Sequence, residues 1–186
     1  LSGPGEAGGY LELPLAGFLG ALAEGVAAPG GGSAAATAVA MGAGLCAMTA
    51  RLSVAQLGRA QADALAAEAD RLRSGAAALI QADADGYGRV LEAQRLAAPD
   101  AAAARARADA VAHALAQASV VPAQVAELAA EVVRIAVRLA AEGNPNLRGD
   151  VATGLALAEA GASAAKALVE INLAGLCLCA GRFPVE

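Results

Sequence analysis

Aromatic side chains are almost absent: two tyrosines, two phenylalanines and no tryptophan in 186 residues. Sheets draw on aromatic and β-branched residues, so an all-β sandwich or barrel is excluded. Histidine occurs once, as His113, and cysteine three times, at Cys46, Cys177 and Cys179. An odd set of cysteines in apolar runs, with a lone histidine, gives neither a disulfide framework nor a zinc site. No metal is expected, and the thiols read as reduced, buried residues of a cytoplasmic protein. Positive charge is also scarce, with 13 basic against 18 acidic residues and a net charge of −5. No basic stripe carries interleaved aromatics, so nucleic acid is not an expected partner. Residues 25–50 carry no formal charge, but they are mostly Ala and Gly rather than Leu, Ile, Val and Phe. No membrane span is expected there. Nor does a basic segment with an apolar run open the sequence, so no secretory signal is expected.

What the chain has in abundance is alanine, 57 of 186 residues, with Leu, Glu, Gln and Arg around it. These are strong helix formers, and apolar residues reach 58%. The expected fold class is all-α: an up-and-down bundle of four long helices plus two shorter ones. Residues 1–9 read as a flexible N-terminus and 10–186 as a single domain. Pro14 suits the first turn of a short helix to about Ala27, broken by Pro29-Gly30-Gly31-Gly32. Ser33 reads as the N-cap of a small-residue helix from Ala34 to Gln56. A long helix fits Arg59 to Leu96, with Leu65, Leu72 and Leu79 recurring every seven residues and Ala69, Ala76 and Val90 between. Pro99 ends it. Helices over 101–118, Pro122–Ala141 and Asp150–Ala180 follow. Apolar faces outnumber what one small bundle buries, so a homodimer is expected.

Asp83 stands out by helical phase. Counting about 100° per residue from Leu65, it falls near 0°, inside the apolar stripe, while Asp85 falls near 200° on the polar side. A carboxyl in an Ala/Leu seam must be paired, bound to ligand, or hold its proton to higher pH. It therefore serves either helix register or proton transfer near neutral pH. Tyr87, one turn on, shares the site or merely packs. Gly30, Gly31, Gly32 and Ser33 either let backbone and helix N-terminus approach a ligand or simply connect two helices. They form neither a P-loop nor a dinucleotide fingerprint. Asn144 and Asp150 read as turn former and helix cap. Asn172, in stripe with Leu168 and Leu176, reads as a register residue or a ligand contact.

Together these segments resemble the cyclodeaminase/cyclohydrolase family. The resemblance rests on Pro29-Gly30-Gly31-Gly32-Ser33, Asp83-Ala84-Asp85-Gly86-Tyr87 leading into Leu91-Glu92-Ala93, Val121-Pro122, Gly143-Asn144 through Asp150, and Ile171-Asn172-Leu173. They occur in order over about residues 14–180. The resemblance implies a dimerising helical bundle that takes a tetrahydrofolate derivative as substrate, without metal or redox cofactor. It places the catalytic aspartate on Asp83. The binding positions fall on Gly30, Gly31, Gly32, Ser33, Tyr87, Asn144, Asp150 and Asn172. Members commonly carry Gly-Lys-Lys after the second helix, where this chain has Leu57-Gly58-Arg59-Ala60. The alternative is a non-catalytic folate-binding or assembly module on the same bundle.

Overall fold

The computed structural model describes residues 9–179. The N-terminal segment read as flexible therefore lies, but for Gly9, outside the described residues. The helices are α1 (Leu15–Ala23), α2 (Gly31–Arg51), α3 (Val54–Leu57), α4 (Arg59–Gln94), α5 (Ala101–Ala118), α6 (Val120–Glu142) and α7 (Arg148–Cys179). Short 3-10 turns cover Tyr10–Glu12 and Pro145–Leu147. The architecture is an all-α bundle of four long helices, α2, α4, α6 and α7, with shorter ones attached.

Alanine and glycine decide how the bundle closes. α2 runs through the middle, against α4, α6 and α7, with Ala36, Val39, Ala43 and Ala50 fully buried. Small side chains remove the spacer between neighbouring helices. A Cβ on Gly42 would stand 2.7 Å from the Gly154 carbonyl of α7, so the α2–α7 crossing is a backbone-to-backbone contact. α2 is long and apolar enough to cross a membrane, yet more than half of it is buried inside the bundle, as expected of a core helix. The heptad of α4 holds: Leu65, Leu72, Ala69, Ala76 and Val90 are buried, and Leu79 packs on the core.

Several boundaries differ from the sequence reading. α1 stops at Ala23, and Pro14 stands at its N-cap rather than in its first turn. α2 starts at Gly31, capped by the Gly30 backbone. Ser33 is thus not an N-cap; it already lies in the first turn, turned inward. The predicted run to Gln56 breaks at Leu52 and Ser53, where the buried Ser53 hydroxyl donates to the Thr49 carbonyl (2.7 Å). Gly58 then sets the chain off in a new direction at φ +78°, a conformation that favours glycine. α6 begins two residues before Pro122, after a break at Ser119 alone. Asp150 lies inside the first turn of α7, which starts at Arg148, so it does not cap that helix.

Candidate functional site

Five helices meet around a cavity of about 330 Å³. The N-terminus of α2 contributes Gly30, Gly31 and Gly32, and α4 contributes Asp83 and Tyr87. Ala118 and Pro122 at the α5–α6 break close one side, and Leu168, Ile171 and Asn172 of α7 the other. Asp83 reaches this place for the reason its phase suggested: the α4 stripe that packs the core continues past Ile80, and its next turn faces α2. At that level the neighbouring backbone is glycine. A Cβ on Gly32 would overlap the Asp83 carboxylate outright, so only glycine lets the acid lie against α2.

Asp83 is half-buried and held on one side. Its Oδ2 accepts the Ser33 backbone N–H at 2.9 Å and lies 3.2 Å from the Ser33 hydroxyl. That hydroxyl also donates to the Ile80 carbonyl at 2.8 Å, and Ser33 is completely buried. Burial raises the Asp83 carboxyl above the ordinary carboxylate range, and the two Ser33 contacts pull partly the other way. Desolvation wins because no cation among the described residues lines the cavity to stabilise the charged form. Asp85 is exposed on the opposite side of α4, where Gln81 donates to it at 2.9 Å.

Tyr87 is 42% exposed at the cavity mouth, and Ile171 is 65% exposed beside it. Asn172 is half-buried. The cavity can therefore offer a carboxyl, an amide and a phenol to a ligand against otherwise apolar walls. It suits a largely apolar molecule with a few polar atoms. Among the described residues no three His, Cys, Asp or Glu side chains cluster as metal ligands. Burial pushes the Cys46 thiol up to about 11, which leaves it an inert core residue.

Of the sequence-predicted site residues, Gly30, Gly31, Gly32, Asp83, Tyr87 and Asn172 line one cavity. Ser33 stands behind Asp83 rather than on the wall. Asn144 and Asp150 do not join them. α7 separates Asp150 from Asn172 by about 33 Å at 1.5 Å per residue. Asn144 instead closes the other end of the bundle: its N–H donates to the Ser53 hydroxyl (2.9 Å) and its amide to the Leu52 carbonyl (3.2 Å). Its side chain also accepts the Asn146 N–H at 3.0 Å, so its polar atoms are spent on the turn. Sequence reasoning missed Leu168 and Ile171 as walls, although they flank Asn172 at one-turn and adjacent spacing. It also missed Pro122, whose place shows only once the α5–α6 break is seen.

Known proteins carry the same plan. A family model described as formiminotransferase-cyclodeaminase matches residues 14–177. A methenyltetrahydrofolate cyclohydrolase of Methylorubrum extorquens is 31% identical over 163 residues, covering 86% of this chain and 78% of that protein. The crystal structure of a formiminotetrahydrofolate cyclodeaminase from Thermotoga maritima superposes with a TM-score of 0.77 at 22% identity. It covers 92% of this chain and 90% of its own, and shows the same fold. The chain belongs to the formiminotransferase-cyclodeaminase family.

Proposed function

We propose that this chain is a one-carbon folate enzyme, a methenyltetrahydrofolate cyclohydrolase or a formimidoyltetrahydrofolate cyclodeaminase, with Asp83 as its proton-transfer group. The observation that carries this reading is a half-buried carboxyl, its pKa raised by burial, on the wall of a cavity that no cation lines among the described residues. Such an acid holds its proton to higher pH than an ordinary carboxylate and stands where a ligand in the cavity can exchange it. The cyclohydrolase reading is favoured by the 31%-identical relative of that name.

In that reaction water attacks the methenyl carbon between N5 and N10 of the folate. The Asp83 carboxylate takes a proton from the attacking water as the C–O bond forms. The tetrahedral carbon then releases N5, which takes the proton back from Asp83, and the new hydroxyl loses its proton to solvent as it becomes the carbonyl of the 10-formyl product. In the cyclodeaminase reaction N10 attacks the carbon of the protonated formimidoyl group and gives its proton to the Asp83 carboxylate, which passes it to the nitrogen that leaves as ammonia as the methenyl cation forms. The Gly31–Gly32 backbone at the α2 N-terminus, Tyr87 and Asn172 hold the polar edge of the substrate. No metal or redox cofactor takes part in this scheme.

The absorbance of methenyltetrahydrofolate reads both directions: its loss in buffer reports hydrolysis, and its appearance with ammonia from the formimidoyl substrate reports deamination. Saturable binding of both folates with no turnover of either would instead establish a non-catalytic binding module.

The proposed enzyme is a cytoplasmic homodimer. Met41 and Met48 stand one heptad apart on the open side of α2 and are 50% and 36% exposed, with Leu52 beyond them at 55%. A second copy would cover this stripe. Sedimentation at micromolar concentration reads the mass, and Met41→Glu should return a dimer to monomer.

A further inference from the structure

Ser33 behaves differently from the three glycines before it. Gly30, Gly31 and Gly32 line the cavity, whereas Ser33 has no exposed surface and touches Asp83 from behind. Its amide and its hydroxyl both lie near one oxygen, Oδ2, at 2.9 and 3.2 Å. The hydroxyl has a second acceptor, the Ile80 carbonyl, at 2.8 Å. A serine hydroxyl has one proton to donate, so it cannot serve both acceptors at once. Which acceptor wins depends on the charge of the carboxyl. A neutral acid is the poorer acceptor, and the nearer Ile80 carbonyl keeps the hydroxyl; an ionised one draws a charge-assisted bond and takes it over.

Resting on the reading of Asp83 as the proton-transfer group, we propose that Ser33 is its positioning residue. Its amide fixes Oδ2 in both protonation states, and its hydroxyl moves from the Ile80 carbonyl to Oδ2 when the proton leaves. Oδ1 is then the oxygen that exchanges protons with the ligand. When water gives up its proton, the new O–H bond forms on Oδ1 and the Ser33 hydroxyl returns to Ile80. The rotation takes place behind the carboxyl, out of contact with substrate, and needs no movement of α2 or α4.

Few other groups can imitate this titration. From α2, Gly32 and Ser33 face Asp83 and neither is ionisable. From α5 and α6 the cavity receives Ala118 and Pro122, and from α7 Leu168, Ile171 and Asn172. Lys166 and Glu170 of α7 are exposed and pair with each other at 3.9 Å. On α4, Tyr87 lines the same cavity with a phenol rather than a carboxyl, while Asp85 points away, exposed.

The test follows the carboxyl carbon of Asp83 by NMR across pH, with Asp83→Asn to assign its signal. Ser33→Ala should move the Asp83 midpoint upward by about half a unit to one unit, because the ionised form loses one donor. The acid limb of kcat/KM should move up by the same amount. An unmoved or lowered midpoint in the folded variant overturns the proposal. A midpoint that rises while the rate profile stays still supports the Ser33 contact and refutes Asp83 as the proton-transfer group. Should Ser33→Ala not fold, the wild-type Ser33 amide proton gives the same information. It should titrate with the Asp83 midpoint, and an amide shift flat across that range overturns the proposal.

Discussion

The two ends of the bundle solve the same packing problem with opposite outcomes. At each, a fully buried serine in or just beyond α2 hydrogen-bonds a helix carbonyl: Ser33 to Ile80 at one end, Ser53 to Thr49 at the other. Each end also has a glycine that admits no side chain. A Cβ on Gly32 would overlap Asp83, and one on Gly143 would stand 2.5 Å from the Leu139 carbonyl. At the Ser53 end the chain supplies the partners of the turn: Ser53 accepts the Asn144 N–H, and Asn144 reaches Leu52 and Asn146, while the buried Thr49 hydroxyl one turn earlier finds no partner among the described residues. At the Ser33 end only Oδ2 of Asp83 is taken up, and Tyr87 and Asn172 face open space. A polar cluster that satisfies itself is a clasp; one left unfinished beside a cavity is where a ligand belongs.

The sharpest way to break this contrast is Asp83→Asn. Asparagine keeps the shape and can still accept the Ser33 N–H, but it cannot exchange a proton. Turnover should fall by about 10²–10⁴-fold, while Asp85→Asn, exposed on the other side of α4, leaves the rate near wild type. Equal rates for wild type and Asp83→Asn in the methenyltetrahydrofolate assay would make the carboxyl a register residue. Gly32→Ala should come next. The added methyl pushes the carboxylate off its seat, and a misplacement of about 1 Å costs on the order of 10²-fold in turnover.

At the closed end the currency changes from rate to stability. Gly143→Ala forces its methyl against the Leu139 carbonyl and the Ser53 hydroxyl. It should lower stability by about 1–3 kcal/mol in urea unfolding, with the rate per folded molecule unchanged. A loss of turnover without a loss of stability would erase the distinction between the ends. The smallest effect is a pH dependence. Because the folded state raises the Asp83 pKa, folding favours the protonated form, and stability declines as pH rises from the ordinary carboxylate value through the raised one. Asp83→Asn removes that decline, so its melting midpoint at pH 7 should stand slightly above wild type. A variant that melts lower at pH 7 yet equals wild type at pH 3 would mean the carboxylate is stabilising when charged.

How much of this was legible beforehand depended on whether the signal was local. Helix content followed from alanine and from the absence of aromatics, and the α4 heptad placed Asp83 on the core side by arithmetic alone. The triple glycine announced a close approach, although not what approached; Asp83 is fifty residues away, and only packing brings the two together. Asn144 and Asp150 stand apart from this cavity within the chain for a related reason. In an up-and-down bundle successive turns alternate between the two ends, so the α6–α7 turn shares its end with the α2 C-terminus and lies opposite the α2 N-terminus. Their simpler description as turn former and cap was half right. Asn144 does close the turn, while Asp150 is already helical. The Ser33 cap failed because a hydroxyl at a helix start has two possible targets. The free N–H groups of its own helix lost to a carbonyl and a carboxylate on α4.

The glycine crossing makes α7 a lever. The contact with α2 runs from Gly154 on Gly42 to Gly161 on the Ala35 carbonyl, and Asn172 sits about 16 Å beyond that last glycine. A tilt of about 5° across the contact sweeps the Asn172 end by about 1.5 Å, which is the difference between contact and gap for a bound ligand. Substitution at Gly42, far from the cavity, would therefore retune how widely the site opens without altering any residue that lines it. Natural variants of this chain could change ligand affinity through a methyl group that the ligand never meets.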